Sequence, residues 1–431
     1  MVTSNDERIG RTRWLICALL FAATTINYVD RQILSLLKPL LDQELGWTNE
    51  EFGWVNSAFQ GAYAVGLLFF GAFIDRVGTK LGYAVSIAAW SFAAIGHAFV
   101  TSIRGFYIAR VALGLGEGGN FPAAIKAIAL WFPKKDRAFA TSLMNAGTNV
   151  GAILAPAVVP WLAVHWGWQS AFVVAGIGGL LWLFLWWPLY SVPEASKILS
   201  REELTYIRSD LDEPTDPTRK TKWRTLFRYR QAWSFFVAKF LTDPVWWFFL
   251  IWLPDYFKKT RGLDIKSSAV HLVTIYSIVT VLSVAGGWLT GYLNARGQSV
   301  TRARKTGMLL FAFTVLPIFF ATRASDWAAV VLIGIAGASH QAFSATIYTT
   351  VSDMFPKTAV ASIIGVGGMA GSLGGMLFPV FAGKLLDRFA AEGNIGGGYT
   401  VLFAICGSAY IVAFLLNHLL APKFDKVEWK G

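Results

Sequence analysis

The chain has 431 residues, of which 55% are apolar and only 15% are charged. Soluble globular domains carry about 25% charged residues, so this composition argues against a soluble protein. The formal net charge of +12 would suggest a nucleic-acid partner in a soluble protein, but membrane proteins concentrate Lys and Arg in their cytoplasmic loops. We therefore expect a lipid bilayer, and no nucleic acid, around this chain.

Apolar segments long enough to cross a bilayer recur along the whole sequence. A spanning helix needs about 20 mainly apolar residues, and we predict twelve such helices. They lie at about 14–37, 52–74, 81–101, 105–131, 138–162, 168–190, 232–257, 268–293, 305–322, 327–352, 359–386 and 399–420.

A long charged segment divides the predicted spans into two groups of six. We expect an N-terminal half at 1–190, a cytoplasmic linker at 191–231 and a C-terminal half at 232–431. Ser200 and Glu203 have the spacing of a capping box, which predicts a short helix in the linker.

The distribution of basic residues predicts the orientation. With the N-terminus in the cytoplasm, the cytoplasmic segments hold 25 of the 38 Lys and Arg residues, the outer loops hold 9, and 4 lie inside helices. This excess favours both termini inside, and we expect a multi-pass protein of the inner (plasma) membrane.

Landmarks of the first half return in the second at a constant offset. A shift of 223 residues places Phe132–Lys134 on Phe355–Lys357 and Gly151 on Gly374. Span 5 therefore repeats as span 11, which is typical of parallel repeats in transporters. The predicted fold is an all-α membrane protein with twelve transmembrane helices in two pseudo-symmetric halves of six.

Four charged residues lie inside predicted spans. Span 1 contains Asp30 and Arg31, and span 4 contains Arg110 and Glu117. A charge at the bilayer centre costs about 2.5–3.5 kcal/mol on insertion scales, so such residues usually pair or line a pathway. Arg110 and Glu117 are seven residues apart and share one helix face. We expect Asp30, Arg31 and Arg110 at a similar depth, with Glu117 nearer the midplane.

The four charges sum to zero, which indicates a chemistry for the site. A bound anion would make the site negative unless one carboxyl group took up a proton. Arg31 and Arg110 can hold a substrate carboxylate through paired hydrogen bonds, and Asp30 and Glu117 can carry the proton. These residues predict proton–organic anion symport; the alternative is that they form ion pairs that only orient helices.

Further polar and aromatic side chains lie inside the spans, where water is scarce. Lys239 and Asp243 are four residues apart and can pair on one helix face; otherwise Lys239 would contact a second carboxylate. Trp246 follows a proline, where its ring could cover a sugar. The remaining candidate substrate ligands are Tyr28, Tyr63, Asn145 and Asn149.

The segment Gly71–Lys80, with the sequence GAFIDRVGTK, resembles the conserved loop motif of the major facilitator superfamily. In that family the Asp and Arg lie in the cytoplasmic turn between spans 2 and 3 and latch one state of the rocking cycle. The resemblance implies this gating role for Asp75 and Arg76. The second copy, at 287–297, lacks the Asp.

The motifs of spans 1 and 4 resemble the anion:cation symporter family within that superfamily, over nearly the whole chain. The likeness is strongest to hexuronate transporters and includes residues 120–126, 145–151 and 239–247. In those relatives the span-1 Asp–Arg pair and the span-4 Arg and Glu handle protons and the substrate carboxylate. The resemblance implies import of galacturonate or glucuronate by a monomer through alternating access. Galactonate or glucarate symport and proton-independent anion exchange remain alternatives.

Other classes of function lack their motifs. The five histidines are scattered, and we find no catalytic triad, metal-binding spacing or ATP-binding loop. We therefore expect no enzyme activity, no cofactor and no metal. A drug–proton antiporter is disfavoured because paired arginines suit an anion and repel a cation.

Overall fold

The structure, a computed structural model, describes residues 10–209 and 223–428. Every regular element in these two ranges is a helix, which confirms the predicted all-α class. Within them, 10 helices are long and apolar enough to cross a membrane. The two other predicted spans coincide with α3 and with the α4–α5 pair, whose bounds are given below.

The described residues form two compact units, and the first comprises those within Met1–Leu34 and Gly61–Thr215. It takes in the beginning of α1 and the end of α2. Its helices are α1 (Thr12–Leu45), α2 (Asn49–Val77), α3 (Thr79–His97), α4 (Ile103–Glu117), α5 (Asn120–Trp131), α6 (Lys134–Trp166), α7 (Trp168–Leu189) and α8 (Arg201–Arg208), with a 3-10 turn at Pro193–Ala195.

The second unit comprises the described residues within Ser35–Gln60 and Asp216–Gly431. It takes in the end of α1 and the beginning of α2, so both helices are shared between the units. Its remaining helices are α9 (Trp223–Leu226), α10 (Arg230–Arg261), α11 (Ile265–Ala295), α12 (Val300–Val315), α13 (Asp326–Met354), α14 (Lys357–Ala391) and α15 (Ile395–Leu420), with a 3-10 continuation of α12 at Leu316–Phe320.

The predicted linker helix is present as α8. The Ser200 hydroxyl accepts a hydrogen bond from the Glu203 amide at 3.1 Å, as the capping-box spacing predicts. The buried Glu203 carboxylate instead accepts from the Thr12 and Arg13 amides at 3.1 and 3.0 Å, so it caps α1. Residues 210–222 of the linker lie outside the described residues, and the division at 190 and 232 stays a prediction.

Span 4 differs from its prediction, because the expected helix at 105–131 is divided into α4 and α5. The division falls at Gly118 and Gly119, immediately after Glu117. A Cβ atom on Gly118 would lie 2.3 Å from the carbonyl carbon of Gly66, and one on Gly119 would lie 2.3 Å from the Ser86 hydroxyl oxygen. Glycines are needed for this close packing, and their low helix propensity favours the break.

Candidate functional site

The four charged residues predicted inside spans lie together in unit 1. Asp30, Arg31, Arg110 and Glu117 are all buried, with exposed fractions of 1%, 6%, 1% and 0%. Asp30 and Arg31 project from α1, and Arg110 and Glu117 from α4. The sequence predicts that charges inside spans are kept away from lipid, and the burial of all four groups agrees with this prediction.

Arg31 of α1 contacts both charged residues of α4. Its Nε donates a hydrogen bond to the Glu117 Oε2 atom at 2.7 Å, and its carbonyl oxygen accepts from the Arg110 Nη2 atom at 3.2 Å. The Arg31 guanidinium also lies 4.3 Å from the Tyr63 ring centre and 5.0 Å from that of Tyr28. Two aromatic faces thus add cation–π attraction to the ion pair.

Asp30 differs from the other three charges. Both of its carboxylate oxygens are buried, and within the described ranges neither has a hydrogen-bond partner. It lies in the electrostatic field of Glu117 and Arg110. Buried polar groups in folded proteins usually have a hydrogen-bond partner, so this arrangement sets Asp30 apart from the other three charges.

The glycine break after Glu117 also positions Asn120, which was not among the predicted site residues. Its side chain is fully buried. The Tyr83 hydroxyl donates to the Asn120 Oδ1 atom at 2.6 Å, and the Asn120 Nδ2 atom lies 3.5 Å from the Thr24 hydroxyl. An amide inside the predicted span 105–131, three residues after Glu117, was the available signal in the sequence.

Helix α6 lies directly against α1 beside the charged cluster. A Cβ atom on Gly151 would come within 2.6 Å of the Thr25 carbonyl oxygen and 2.7 Å of the Tyr28 Cβ. On the same helix the Asn145 side chain is exposed and Asn149 is half-buried. The structure therefore leaves these two amides accessible on a helix that packs against α1.

A second polar cluster lies in unit 2. The predicted Lys239–Asp243 pair forms, with Nζ and Oδ1 2.7 Å apart. Lys239 Nζ is also 3.4 Å from the Ser344 hydroxyl and 4.5 Å from the centre of the Tyr348 ring. The lysine is therefore held by neighbours on α10 and α13.

Beside this cluster, Trp246 and His340 form a stacked pair. Their ring centres are 5.6 Å apart and their planes differ by 4°. The His340 Nδ1 atom is hydrogen-bonded to the Tyr410 hydroxyl at 2.7 Å. The pair combines a flat apolar face with a polar ring edge.

The two repeats use equivalent glycines for the same helix contact. Gly151 in α6 and Gly374 in α14 are related by the 223-residue offset. A Cβ atom on Gly374 would lie 2.5 Å from the Phe240 carbonyl oxygen, as one on Gly151 would lie 2.6 Å from that of Thr25. The contacts therefore match Thr25 of α1 with Phe240 of α10.

This match reveals a correspondence between the two polar clusters. Arg31 is six residues after Thr25, and Trp246 is six residues after Phe240. The 223-residue offset likewise takes Glu117 to His340. The ring stack Trp246–His340 thus occupies, in its own repeat, the positions that the ion pair Arg31–Glu117 occupies in the other.

The predicted gating residues lie at the end of α2. Lys126 Nζ donates to the Asp75 Oδ1 atom at 2.7 Å and to the Ile74 carbonyl oxygen at 3.1 Å. Arg76 is exposed. Gly78 has a φ of 85°, which favours glycine at the turn into α3. The structure thus adds Lys126 of α5 as the partner of Asp75.

A network of charges in unit 2 was missed by the sequence analysis. Lys38 Nζ lies 2.8 Å from Asp42 Oδ2 and 3.0 Å from Asp255 Oδ1. Lys259 Nζ lies 3.1 Å from the same Asp255 oxygen. Asp255 also accepts a hydrogen bond from the Tyr399 hydroxyl. Asp255 falls inside the predicted span 232–257, so the rule that identified Asp30 would have identified it too.

The start of α2 joins the same region of unit 2. The Asp387 carboxylate accepts hydrogen bonds from the Asn49 and Glu50 amides at 3.0 and 2.8 Å. The Asn49 side-chain oxygen in turn accepts from Lys38 and Lys259 at 3.0 and 2.9 Å. An acid from α14 therefore caps α2, where the helix dipole favours negative charge.

Comparisons with known proteins bear on this architecture. The Major Facilitator Superfamily model matches residues 20–306 and 302–428. The chain is 30% identical over 403 residues to a hexuronate transporter of Escherichia coli (strain K12), covering 93% of this chain and 91% of the relative. It is 29% identical over 396 residues to a D-galactonate transporter of Escherichia coli O6:H1, covering 89% and 92%. It is 30% identical over 441 residues to a probable galactarate/D-glucarate transporter of Bacillus subtilis, covering 97% and 94%.

Solved structures show the same fold. A crystal structure of a D-xylose–proton symporter gives a TM-score of 0.75 at 16% identity and covers 96% of this chain and 99% of its own. An inward-facing, occupied bacterial homologue of the human lysosomal transporter Spinster also gives 0.75 at 16% identity, covering 96% and 97%.

The fold and these relatives define a multi-pass membrane transporter and not an enzyme. The chain belongs to the Major Facilitator Superfamily, as its loop motif predicts.

Proposed function

We propose that this transporter imports a sugar-acid anion, a hexuronate, together with protons by alternating access. It acts as a monomer in the inner (plasma) membrane with both termini in the cytoplasm. The observation that carries the proposal is the buried set Asp30, Arg31, Arg110 and Glu117, whose formal charges cancel. Relatives named as hexuronate, galactonate and probable glucarate transporters support the substrate class.

Charge balance couples the anion to a proton. An anion added to the neutral cluster leaves one negative charge unmatched, and two like charges about 4 Å apart repel by about 4 kcal/mol at an effective dielectric constant of 20. Uptake of one proton by Asp30 or Glu117 removes this repulsion. The favoured complex therefore contains the anion and a proton together.

Glu117 and the substrate compete for Arg31. The Arg31 Nε atom is held by Glu117 at 2.7 Å, so a substrate carboxylate has to displace that contact. Protonation of Glu117 weakens its ion pair and releases the guanidinium for a bidentate contact with the substrate. Arg110 supports the same carboxylate from α4, and Asp30 is the second proton-binding group.

The sugar hydroxyls need neutral hydrogen-bond partners. Tyr28 and Tyr63 already lie against Arg31, and Asn145 and Asn149 have accessible amides on the helix beside α1. We assign these four side chains to the part of the sugar next to its carboxylate.

The C-terminal repeat contributes contacts of another kind. Trp246 offers an aromatic face for the C–H groups of a sugar ring. Lys239, held by Asp243 at 2.7 Å, contributes ammonium donors while its partner keeps the cluster neutral. We assign Lys239 and Trp246 to substrate binding, with no net charge added by that cluster.

Gating is assigned to groups whose contacts can open and close during the cycle. Asp75 and Arg76 form the proposed latch, with Lys126 as the partner of Asp75 at 2.7 Å. The Lys38–Asp255 contact joins α1 to α10 at 3.0 Å, and we propose that it opens in another state of the cycle.

The test is uptake of galacturonate into proteoliposomes with an acidic exterior, for wild type, Glu117→Gln and the control Glu392→Gln. Glu392 is exposed and pairs only loosely with Arg388, at 3.7 Å. We expect wild type and Glu392→Gln to accumulate galacturonate until a protonophore is added. Glu117→Gln should not accumulate it but should still exchange it across the membrane. Full accumulation by Glu117→Gln would refute its proton role.

A second candidate substrate class is favoured by the near-equal identities to the hexuronate and D-galactonate transporters, 30% and 29%. Galactonate and glucarate are therefore tested in the same assay. Uptake of one of these acids without galacturonate uptake would change the substrate and keep the mechanism. Uptake that ignores the imposed pH gradient would instead indicate a proton-independent anion exchanger.

A further inference from the structure

A basic cavity of about 540 Å³ lies in unit 2 where α12 begins and α15 ends. Both helices are long and apolar enough to cross a membrane, so the cavity lies near a membrane surface. Arg302, Lys305 and Lys423 line it together with one acid, Asp425. The charged groups around the cavity therefore sum to two positive charges.

The one acid of the cavity, Asp425, leaves an excess of positive charge. Within residues 10–209 and 223–428, no salt bridge joins Arg302, Lys305 or Lys423 to a carboxylate. Lys305 Nζ donates to the Ala421 carbonyl oxygen at 2.8 Å and lies 2.9 Å from the His418 Nδ1 atom. Its polar neighbours are thus a carbonyl oxygen and an imidazole nitrogen, not carboxylates, and the site has charge to offer an anion.

The cavity changes from polar to apolar along the helix axes. Leu309 is one helical turn beyond Lys305 on α12, and Phe414 is one turn before His418 on α15. One turn is about 5.4 Å along the axis, and both apolar side chains line the same cavity. A cationic rim above an apolar wall matches an amphiphile and does not match a free inorganic anion.

The polar rim of the cavity is held in place by the chain after α15. The Phe424 amide donates to the Thr301 hydroxyl at 2.9 Å, and Lys305 Nζ lies 4.8 Å from the centre of the buried Phe424 ring. The Val427 amide donates to the Met354 carbonyl oxygen at 2.9 Å. This C-terminal segment therefore closes one side of the cavity without supplying a partner charge for Lys305.

We propose that this cavity binds an anionic phospholipid, with its phosphodiester between Arg302, Lys305 and Lys423 and an acyl chain along Leu309 and Phe414. Basic pockets between transmembrane helices are known to take anionic headgroups, and the volume is in the range of small-molecule sites. The inference rests on the membrane location and not on the transported substrate or its coupling.

The test is binding of phosphatidylglycerol to the delipidated full-length protein in detergent, measured by native mass spectrometry over a lipid titration. We expect wild type to bind phosphatidylglycerol with clear preference over phosphatidylcholine. The variant Arg302→Gln/Lys423→Gln should weaken this binding on the order of 30-fold, because each of the two basic residues contributes about fivefold to the affinity for an anionic lipid. The Lys384→Gln/Arg388→Gln control removes the same charge from exposed side chains of α14 and should bind as wild type does.

Three results would overturn the proposal. They are equal binding of phosphatidylcholine, unchanged binding by the Arg302→Gln/Lys423→Gln variant, and full displacement of the lipid by soluble glycerol phosphate, which would indicate a free-anion site. Lys423 lies outside the helices and is exposed, so Lys423→Gln alone serves if the double variant misfolds. It should weaken phosphatidylglycerol binding about fivefold, and wild-type affinity in this variant would equally reject the site.

Discussion

Arg31–Glu117 in the first repeat and Trp246–His340 in the second lie at equivalent positions and differ in chemistry. The first is an ion pair with a 2.7 Å contact, surrounded by two further charges. The second is a stack of two rings 5.6 Å apart, with the histidine bonded to a tyrosine. The helix contacts made by Gly151 and Gly374 are nearly the same on both sides.

The difference shows which features of a repeat are constrained by packing. Each close glycine contact is required by backbone geometry, so it persists in both copies. The side chains beyond it differ between the two copies, as the ion pair and the ring stack show. In the proposed mechanism, the first repeat handles the charge of the substrate and the second contacts its neutral part.

The largest effect is expected from breaking the ion pair on one side only. Arg31→Gln leaves Glu117 buried without its cation, which should lower the free energy of unfolding by about 3–5 kcal/mol. Arg31→Gln/Glu117→Gln should recover most of that stability, because the charge of Glu117 is removed together with its partner, and should still lack uptake. Unfolding in detergent and uptake in proteoliposomes measure the two effects. A double variant as unstable as the single one would contradict the ion-pair account.

The equivalent glycines give the next largest effect. Gly151→Ala and Gly374→Ala place a methyl group within 2.6 and 2.5 Å of a carbonyl oxygen, so each should lower the free energy of unfolding by about 1–3 kcal/mol. Gly368→Ala, also in α14, has no atom within 4 Å of its new Cβ and should cost nothing. If only one of the two equivalent glycines were sensitive, the structural match between the repeats would be rejected.

A smaller effect is expected at the Trp246–His340 stack, and it should be confined to substrate affinity. Trp246→Phe and His340→Gln should raise KM about tenfold, which corresponds to about 1.4 kcal/mol. The accumulation driven by a pH gradient should remain. Uptake kinetics at several external pH values separate the two properties. Loss of gradient-driven accumulation in His340→Gln would place a proton carrier in the second repeat and would break the proposed contrast.

The smallest effect on stability is expected at the loop motif, which the second repeat keeps only in part. Asp75→Asn removes the partner of Lys126, and the Asp75 side chain is 75% exposed. Such a surface pair contributes about 0–1 kcal/mol, so thermal unfolding should barely change. The maximal uptake rate of Asp75→Asn should fall. Arg388→Gln, a substitution at an exposed residue, is the control and should keep the wild-type rate. An unchanged rate in Asp75→Asn would remove its proposed gating role.

Much of the fold could be predicted because its signals are local. Runs of apolar residues mark the spans, and the Ser200–Glu203 spacing identified the helix at α8 and its cap. The division of span 4 after Glu117 was not predicted. It depends on how closely Gly118 and Gly119 approach α2 and α3, and that contact is not visible in the composition of the span.

The site was predicted in part for the same reason. Charges inside spans identified Asp30, Arg31, Arg110 and Glu117, and a four-residue spacing identified Lys239 with Asp243. The pairing of charges that are far apart in the chain was not accessible from the sequence. Arg31 and Glu117 are 86 residues apart in the chain, and Lys38 and Asp255 are 217 apart.

The sequence by itself determined the class of the protein, most of its helices, its repeat and the four buried charges of α1 and α4. These features follow from the cost of exposing polar groups to lipid, because each spanning segment has to satisfy its backbone polar groups by itself. Only the tertiary structure decided that Glu117 binds Arg31, that Lys126 meets Asp75 and that His340 stacks on Trp246. Such partners are selected by helix packing between distant segments, where close glycine contacts such as those of Gly151 and Gly374 set the register.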